Sequence, residues 1–229
     1  MSKAARAVVA AVCAAALAAA CDSGDDAPDP PDGGLITVTT MRGAFLQTAD
    51  VGPTWQPPAA SADPNRLVAF CPGPATAPPV PPGDEVVAAP LVDEGTGGAQ
   101  SLTQTALVYP DAEAAQAGLE SLRALADACP KTVNQPAQNT ADRNEPAYTE
   151  TAQTTELNEG GWTGFVVVRH KAYEAKHPGT ADTAVAVVSK QNVLVVDAYA
   201  VYRIGNASGG SQFDSDWKKL VGTVLNRVG

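Results

Sequence analysis

The sequence predicts an α+β domain: one antiparallel β-sheet of five or six strands, with helices packed mainly on one face. Three observations carry this. One strongly amphipathic stretch, YPDAEAAQAGLESLRALADACP from Tyr109 to Pro130, lies mid-chain. Short apolar or alternating runs with brief connections follow it, the order of an antiparallel meander. A second amphipathic stretch, Ser211 to Val228, closes the chain.

The amino terminus sets an address. Lys3 and Arg6 form a short basic region, and Ala7 to Ala20 is an unbroken apolar run, short for a bilayer span. Ala18-Ala19-Ala20 stands directly before Cys21. This resembles a bacterial lipobox, in which the cysteine is diacylated and the signal, residues 1–20, is removed in front of it. The alternative is an ordinary secretion signal with an Ala-x-Ala cleavage site. Residues 21–34, beginning CDSGDDAPDPPDGG, are acidic, rich in Pro and Gly, and almost free of apolar side chains, so they read as a tether. Loss of the signal takes Lys3 and Arg6 and no acidic residue, moving the formal charge from −10 to −12. An acidic domain without a basic stripe excludes nucleic acid as an expected partner.

Residues 35–229, roughly 190 in number, suit one domain with a sizeable core. Met41, Phe45 and Ala49 are compatible with a short helix, ended by Val51-Gly52-Pro53. From Pro72 to Pro90 the prolines predict a surface loop. Gln100 to Tyr109 alternates as a strand, with Leu102, Ala106 and Val108 on one face and Thr103, Thr105 and Leu107 on the other.

In the central helix Asp111 can accept from the free N–H groups of the first turn. Ala112, Ala115, Leu119, Leu122, Ala126 and Cys129 share one face, which Leu125 widens. Pro130 stops the helix. Cys71, in AFCPGP, is the partner left for Cys129 once Cys13 is assigned to the signal and Cys21 to the lipid anchor. The alternative is two buried free thiols. Export favours the bridge, which would contribute about 4 kcal/mol by restricting the unfolded chain.

Thr132 to Asn144 is polar and reads as loop. Four strands are predicted after it: Tyr148 to Leu157 with one wet face, Trp162 to His170, Thr183 to Ser189, and Val193 to Ile204. Lys190-Gln191-Asn192 makes the last turn. In the closing helix Ser211 and Asp214 form a capping-box variant. Phe213, Trp217, Leu220, Val221, Val224 and Val228 make its apolar stripe.

Taken together, LQTADVG, FCPGP, the Tyr109–Pro130 stretch, ALVYP, GFVVVRH, TAVAVVSKQNVLVVDAYAVY and WKKLVGTVLNRV resemble the PknH-like extracellular sensor domain family of actinobacteria. The resemblance covers roughly residues 35–228. It implies a sheet with helices and a central cleft, found both outside receptor serine/threonine kinases and in free-standing lipoproteins. The kinase form carries two disulfides, where this chain has one cysteine pair. No kinase and no transmembrane helix is read here, so a signal would pass through a separate protein partner.

Candidate chemistry is sparse. Neither G-x-S-x-G nor the usual phosphate-binding glycine loop occurs, so no catalysis and no cofactor is expected. His170, Glu174 and His177 match no standard zinc spacing. With Arg169, Lys171 and Lys176 they read instead as a solvated basic hairpin tip. Asp93 and Glu94, or Glu156 and Glu159, read as solvated charge. Trp162, Tyr199 and Tyr202 are the candidate ligand-binding residues, with at most one tyrosine parity facing the helices. The expectation is a lipid-anchored protein on the extracytoplasmic face of the cell membrane, binding a small molecule or cell-wall fragment without catalysis. A lipid or glycolipid carrier is the alternative.

Overall fold

The computed structural model describes residues 34–59, 66–74, 76–83, 85–95, 98–140, 144–205 and 210–229. The expected signal, the tether up to residue 33 and Cys21 lie outside the described residues. Helices α1 (Val38–Ala44) and α2 (Thr48–Val51) come first. Short strands β1 (Glu85–Ala88) and β2 (Leu91–Asp93) precede the long β3 (Gly98–Val108) and helix α3 (Ala112–Asp127). The strands β4 (Thr132–Gln135), β5 (Gln138–Asn139) and β6 (Asn144–Glu145) are short. Four long strands follow: β7 (Tyr148–Glu159), β8 (Trp162–Tyr173), β9 (Gly179–Lys190) and β10 (Val193–Ile204). Helix α4 (Gly210–Arg227) ends the fold.

The main sheet has eight strands in the order β1-β3-β10-β9-β8-β7-β4, with β2 also paired to β3. Every pairing is antiparallel. Strands β5 and β6 form a separate two-stranded ribbon. The expected count of five or six strands is therefore too low. The five long strands are those expected, and β1, β2 and β4 are the short additions. Strand β1 lies within the stretch read as a proline-rich loop, and β4 within the stretch read as polar loop.

The helices are not gathered mainly on one face; they cover both. On one face α1 and α4 pack with Met41, Phe45, Phe213, Trp217, Val221 and Val224 over Leu102, Val166, Ala186 and Val195. On the other, Ala115, Leu119, Leu122 and Ala126 of α3 pack over Phe165, Val167, Val185, Val187 and Leu194. The physical reason is visible in FVVV, AVAVV and VLVV, which are apolar at both parities and so need cover on both sides.

Helix α3 begins as expected, with Asp111 accepting from Ala114 N at 2.8 Å. Ala112 is exposed, and Leu125 is 45% exposed and widens no core face. Ala115 and Gly118 are buried against the sheet. A Cβ on Gly118 would stand 2.5 Å from the Tyr109 hydroxyl. Cys129 lies just past the helix end and is bonded to Cys71, with Cα atoms 4.9 Å apart. Helix α4 starts at Gly210, so Ser211 sits inside its first turn, and Asp214 accepts from Trp217 Nε1 at 3.3 Å.

Two buried amides tie the amino-terminal segment to the sheet. Asn192 Oδ1 accepts from Ile36 N at 2.7 Å, while Nδ2 donates to Ile36 O and Tyr109 O. Gln104 Oε1 accepts from Leu46 N at 2.7 Å, and Nε2 donates to Leu46 O and Ala89 O. Each amide satisfies backbone groups that would otherwise be buried unpaired.

Candidate functional site

A cleft of about 450 Å³ opens where α2 and α4 meet the neighbouring ends of β3 and β10. Leu46, Val51, Trp55 and Leu220 supply its apolar wall. Gln100, Tyr199, Asp216, Lys219 and Thr223 supply polar groups. Its base is fixed by two contacts of Tyr199. The ring stacks on Phe213 with centroids 5.7 Å apart, and the hydroxyl donates to Gln100 Oε1 at 2.6 Å. A second hollow of about 370 Å³ shares Gln100, Tyr199 and Asp216 and extends toward Asp93, Tyr202 and Arg203.

One rim of the cleft is an ion pair. Arg227 donates to both carboxylate oxygens of Asp50, at 2.6 and 3.1 Å, and also to Ala44 O. Asp50 Oδ2 accepts from Gln47 N at 2.8 Å, closing the short α2. Hydrogen bonding from Arg227, then from the Gln47 backbone, holds the Asp50 carboxyl below its usual range, and Asp50 raises Arg227 in return. Both stay charged. Burial, with Asp216 beside it, pushes the Tyr199 phenol up to about 12, so it remains a donor.

Of the three residues predicted to line one cleft, Tyr199 and Tyr202 both border the smaller hollow, and Trp162 is not brought to them. Trp162 is 1% exposed, and its indole Nε1 donates to Leu225 O at 3.2 Å within the core. Tyr199 lines the cleft under α4. Tyr202 has the opposite parity on β10, is 42% exposed, and packs edge-on to Tyr173 on the other face. The expectation that one tyrosine parity faces the α4 side holds for Tyr199.

The solvated basic hairpin tip holds for Lys176 and His177, which are exposed, and not for Arg169 and Lys171. Arg169 donates to Glu150 Oε1 at 3.0 Å, with side chains 12% and 4% exposed. Lys171 pairs with Glu145 at 3.1 Å. Both lie on β8 and are drawn inward by carboxylates from neighbouring strands. The histidines take separate partners. His170 Nδ1 lies 2.6 Å from Asp182 Oδ1, whose other oxygen accepts from Arg203. His177 Nδ1 lies 3.3 Å from Glu174. Among the described residues no group of three His, Cys, Asp or Glu side chains could hold a metal ion. Glu156, read as solvated, forms a two-armed pair with Arg123 on α3.

Sequence reasoning missed the buried charges. Glu150 also accepts from Gly73 N at 2.7 Å, and Arg169 reaches Cys71 O at 3.3 Å. Together they fasten the cysteine-bearing segment beside the disulfide. Burial pushes the Arg169 guanidinium down against the pull of Glu150. Asp197, mid-β10, is 1% exposed with no hydrogen-bond partner among the described residues, and burial raises it to about 7. An Asp inside VLVVDAYAVY was the available signal. A disulfide of this kind belongs to an oxidising, extracytoplasmic compartment.

The fold and cleft thus define a disulfide-stapled α+β domain with an eight-stranded antiparallel sheet. No known protein-family profile matches the sequence, and no curated protein matches it. Among solved structures the chain is similar to the crystal structure of the extracellular domain of PknH from Mycobacterium tuberculosis. Identity is 14%, the match covers 86% of this chain and 98% of that one, and the TM-score is 0.48.

Proposed function

We propose that the chain is a lipid-anchored, non-catalytic ligand-binding domain of the sensor type, working on the extracytoplasmic face of the membrane. The observation that carries this reading is the mixed cleft at Tyr199. Its apolar wall and few fixed polar groups have the composition of small-molecule sites, and about 450 Å³ is a volume such sites occupy. Asp50, Asp216, Lys219 and Arg227 around it disfavour a lipid carrier, which needs a continuous apolar cavity. The titration pattern favours binding over catalysis. Asp50 and Arg227 are held charged, while Asp197, the carboxyl raised toward neutrality, is sealed away from solvent. The ligand would be a small molecule or wall fragment, reported to a separate membrane protein.

Native mass spectrometry of the full chain from its own envelope, with extraction of whatever is bound, tests the reading. The expected result is a polar or mixed small molecule whose binding raises the melting temperature and is weakened by Lys219→Glu at the exposed mouth. A co-purifying long-chain lipid retained by Lys219→Glu would overturn it in favour of a carrier.

A further inference from the structure

A second cleft lies on the opposite side of β10, at the end of the sheet beyond α3. It measures about 650 Å³ and is lined by Asn144, Glu145, Tyr173, His177, Tyr202 and Ile204. Its position follows from register. Tyr148 pairs with Tyr173 across β7 and β8, and Gly179 pairs with Ile204 across β9 and β10. Three tyrosines therefore step across one face: Tyr148 to Tyr173 at 5.7 Å and Tyr173 to Tyr202 at 6.4 Å, both edge to face.

Three features set this place apart from ordinary sheet surface. Among the described residues the exposed large apolar side chains are Leu35, Val86, Leu125, Tyr202 and Ile204, and the last two share this cleft. Such clustering marks a binding surface. Gly179 stands between the rings: a Cβ there would meet the Tyr202 hydroxyl at 3.2 Å and Tyr173 Cδ2 at 3.4 Å. Charge inside is compensated. Glu145 accepts from Lys171 at 3.1 Å and from the Tyr173 hydroxyl at 3.3 Å, while Lys171 Nζ sits 4.0 Å over the Tyr148 ring. An ionic ligand would find its counter-charge already engaged.

What remains is an aromatic corner with an apolar rim, flanked by the Asn144 amide, the Glu145 carboxylate and a histidine. The His177 ring lies with Nδ1 3.3 Å from Glu174 and borders the cleft. Amide, carboxylate and imidazole offer donors and acceptors at short range around exposed tyrosine faces. This combination suits a neutral ring that carries hydroxyls on its rim and C–H groups on its face. We propose that this cleft is a saccharide site, in which Tyr202 stacks on the C–H face of a neutral pyranose or furanose. Asn144, Glu145 and His177 take its hydroxyls. The site does not depend on the 450 Å³ cleft at Tyr199, because the two clefts share no lining residue.

The test is isothermal titration and ¹H–¹⁵N NMR of the full chain in detergent. The probes are short soluble oligosaccharides of glucose, mannose, galactose, arabinose and N-acetylglucosamine. At least one should bind with a dissociation constant of about 1 mM or tighter and shift the amides around Tyr173, Gly179 and Tyr202. Tyr202→Ala, at an exposed ring, should weaken it about tenfold or more, and Tyr202→Phe should retain it. Gly179→Val, which fills the gap between the rings, should weaken it as well. No binding across the panel overturns the proposal. Binding that survives Tyr202→Ala but is lost in Lys219→Glu would move the sugar to the Tyr199 cleft, overturning this site and leaving that reading intact. Loss of a dimer, rather than of a sugar, in Tyr202→Ala would show that a second copy covers the patch.

Discussion

Asp197 is placed at a cost to the fold. Its strand neighbours are Gln104 and Ala186. The alanine offers nothing, and the Gln104 amide already has its oxygen on Leu46 N and both hydrogens on Leu46 O and Ala89 O. The carboxyl is left without a partner among the described residues, and burial raises it from 3.8 to about 7. The folded state therefore holds this proton more tightly than the unfolded chain. Its contribution is fully present below the unfolded value, declines as pH rises, and is lost once pH passes the folded value. Over that window the loss is roughly 4 kcal/mol. Asp197→Asn keeps the shape and removes the charge. Urea unfolding should find the variant more stable than the natural chain near pH 8, with the gap closing toward pH 4. A gap that does not change with pH would mean Asp197 is not protonated in the fold. The sequence showed an acid within an apolar strand, but whether it met a partner depended on where Gln104 pointed, and no spacing rule supplies that.

At the scale of elements, the corner joining residues 71–73 to the end of α3 is held twice, by a disulfide and by a buried ion pair. The Cys71–Cys129 bond closes a loop of 58 residues, worth about 4 kcal/mol through the unfolded chain. Arg169 and Glu150 hold the same segment through Cys71 O and Gly73 N. The two fastenings should fail differently. A Cys71→Ser, Cys129→Ser double variant should lose about 4 kcal/mol while keeping amide-exchange protection at Gly73, because Glu150 still accepts from it. Glu150→Ala should lose about 3–5 kcal/mol, since it leaves the Arg169 guanidinium buried and uncompensated, and Gly73 protection should go with it. Equal loss of protection in both variants would show the ion pair to be passive. The bond was legible because cysteines are few. The ion pair was not, because Arg169 and Glu150 meet through the β7–β8 register and read singly as surface charge. The same cause hid β4, whose polar TVNQ becomes a strand by pairing with β7. It also hid β1, whose EVVA follows a run of prolines.

For the whole molecule, the class and the long strands were legible because they depend on periodicity within one segment. The two-sided cover was latent in the same letters: strands apolar at both parities demand helices on both faces. Of the candidate residues the sequence singled out, Tyr199 and Tyr202 border clefts, while Trp162 belongs to the core. The proposed lipid anchor also belongs to this scale. Among the described residues no helix is long and apolar enough to cross a bilayer. The chain is acidic overall, with a formal charge of −10, so anionic headgroups repel it. In the proposed function attachment is through Cys21, where two acyl chains would supply about 0.8 kcal/mol for each buried CH₂. Cys21→Ser should move the protein from the detergent phase to the aqueous phase in phase partitioning. Its unfolding curve should not change, because Cys21 precedes the compact unit that begins at Leu35. If the variant stays with the membrane at high salt, an apolar surface of the folded domain binds lipid directly. The exposed Tyr202 and Ile204 would be the first place to look.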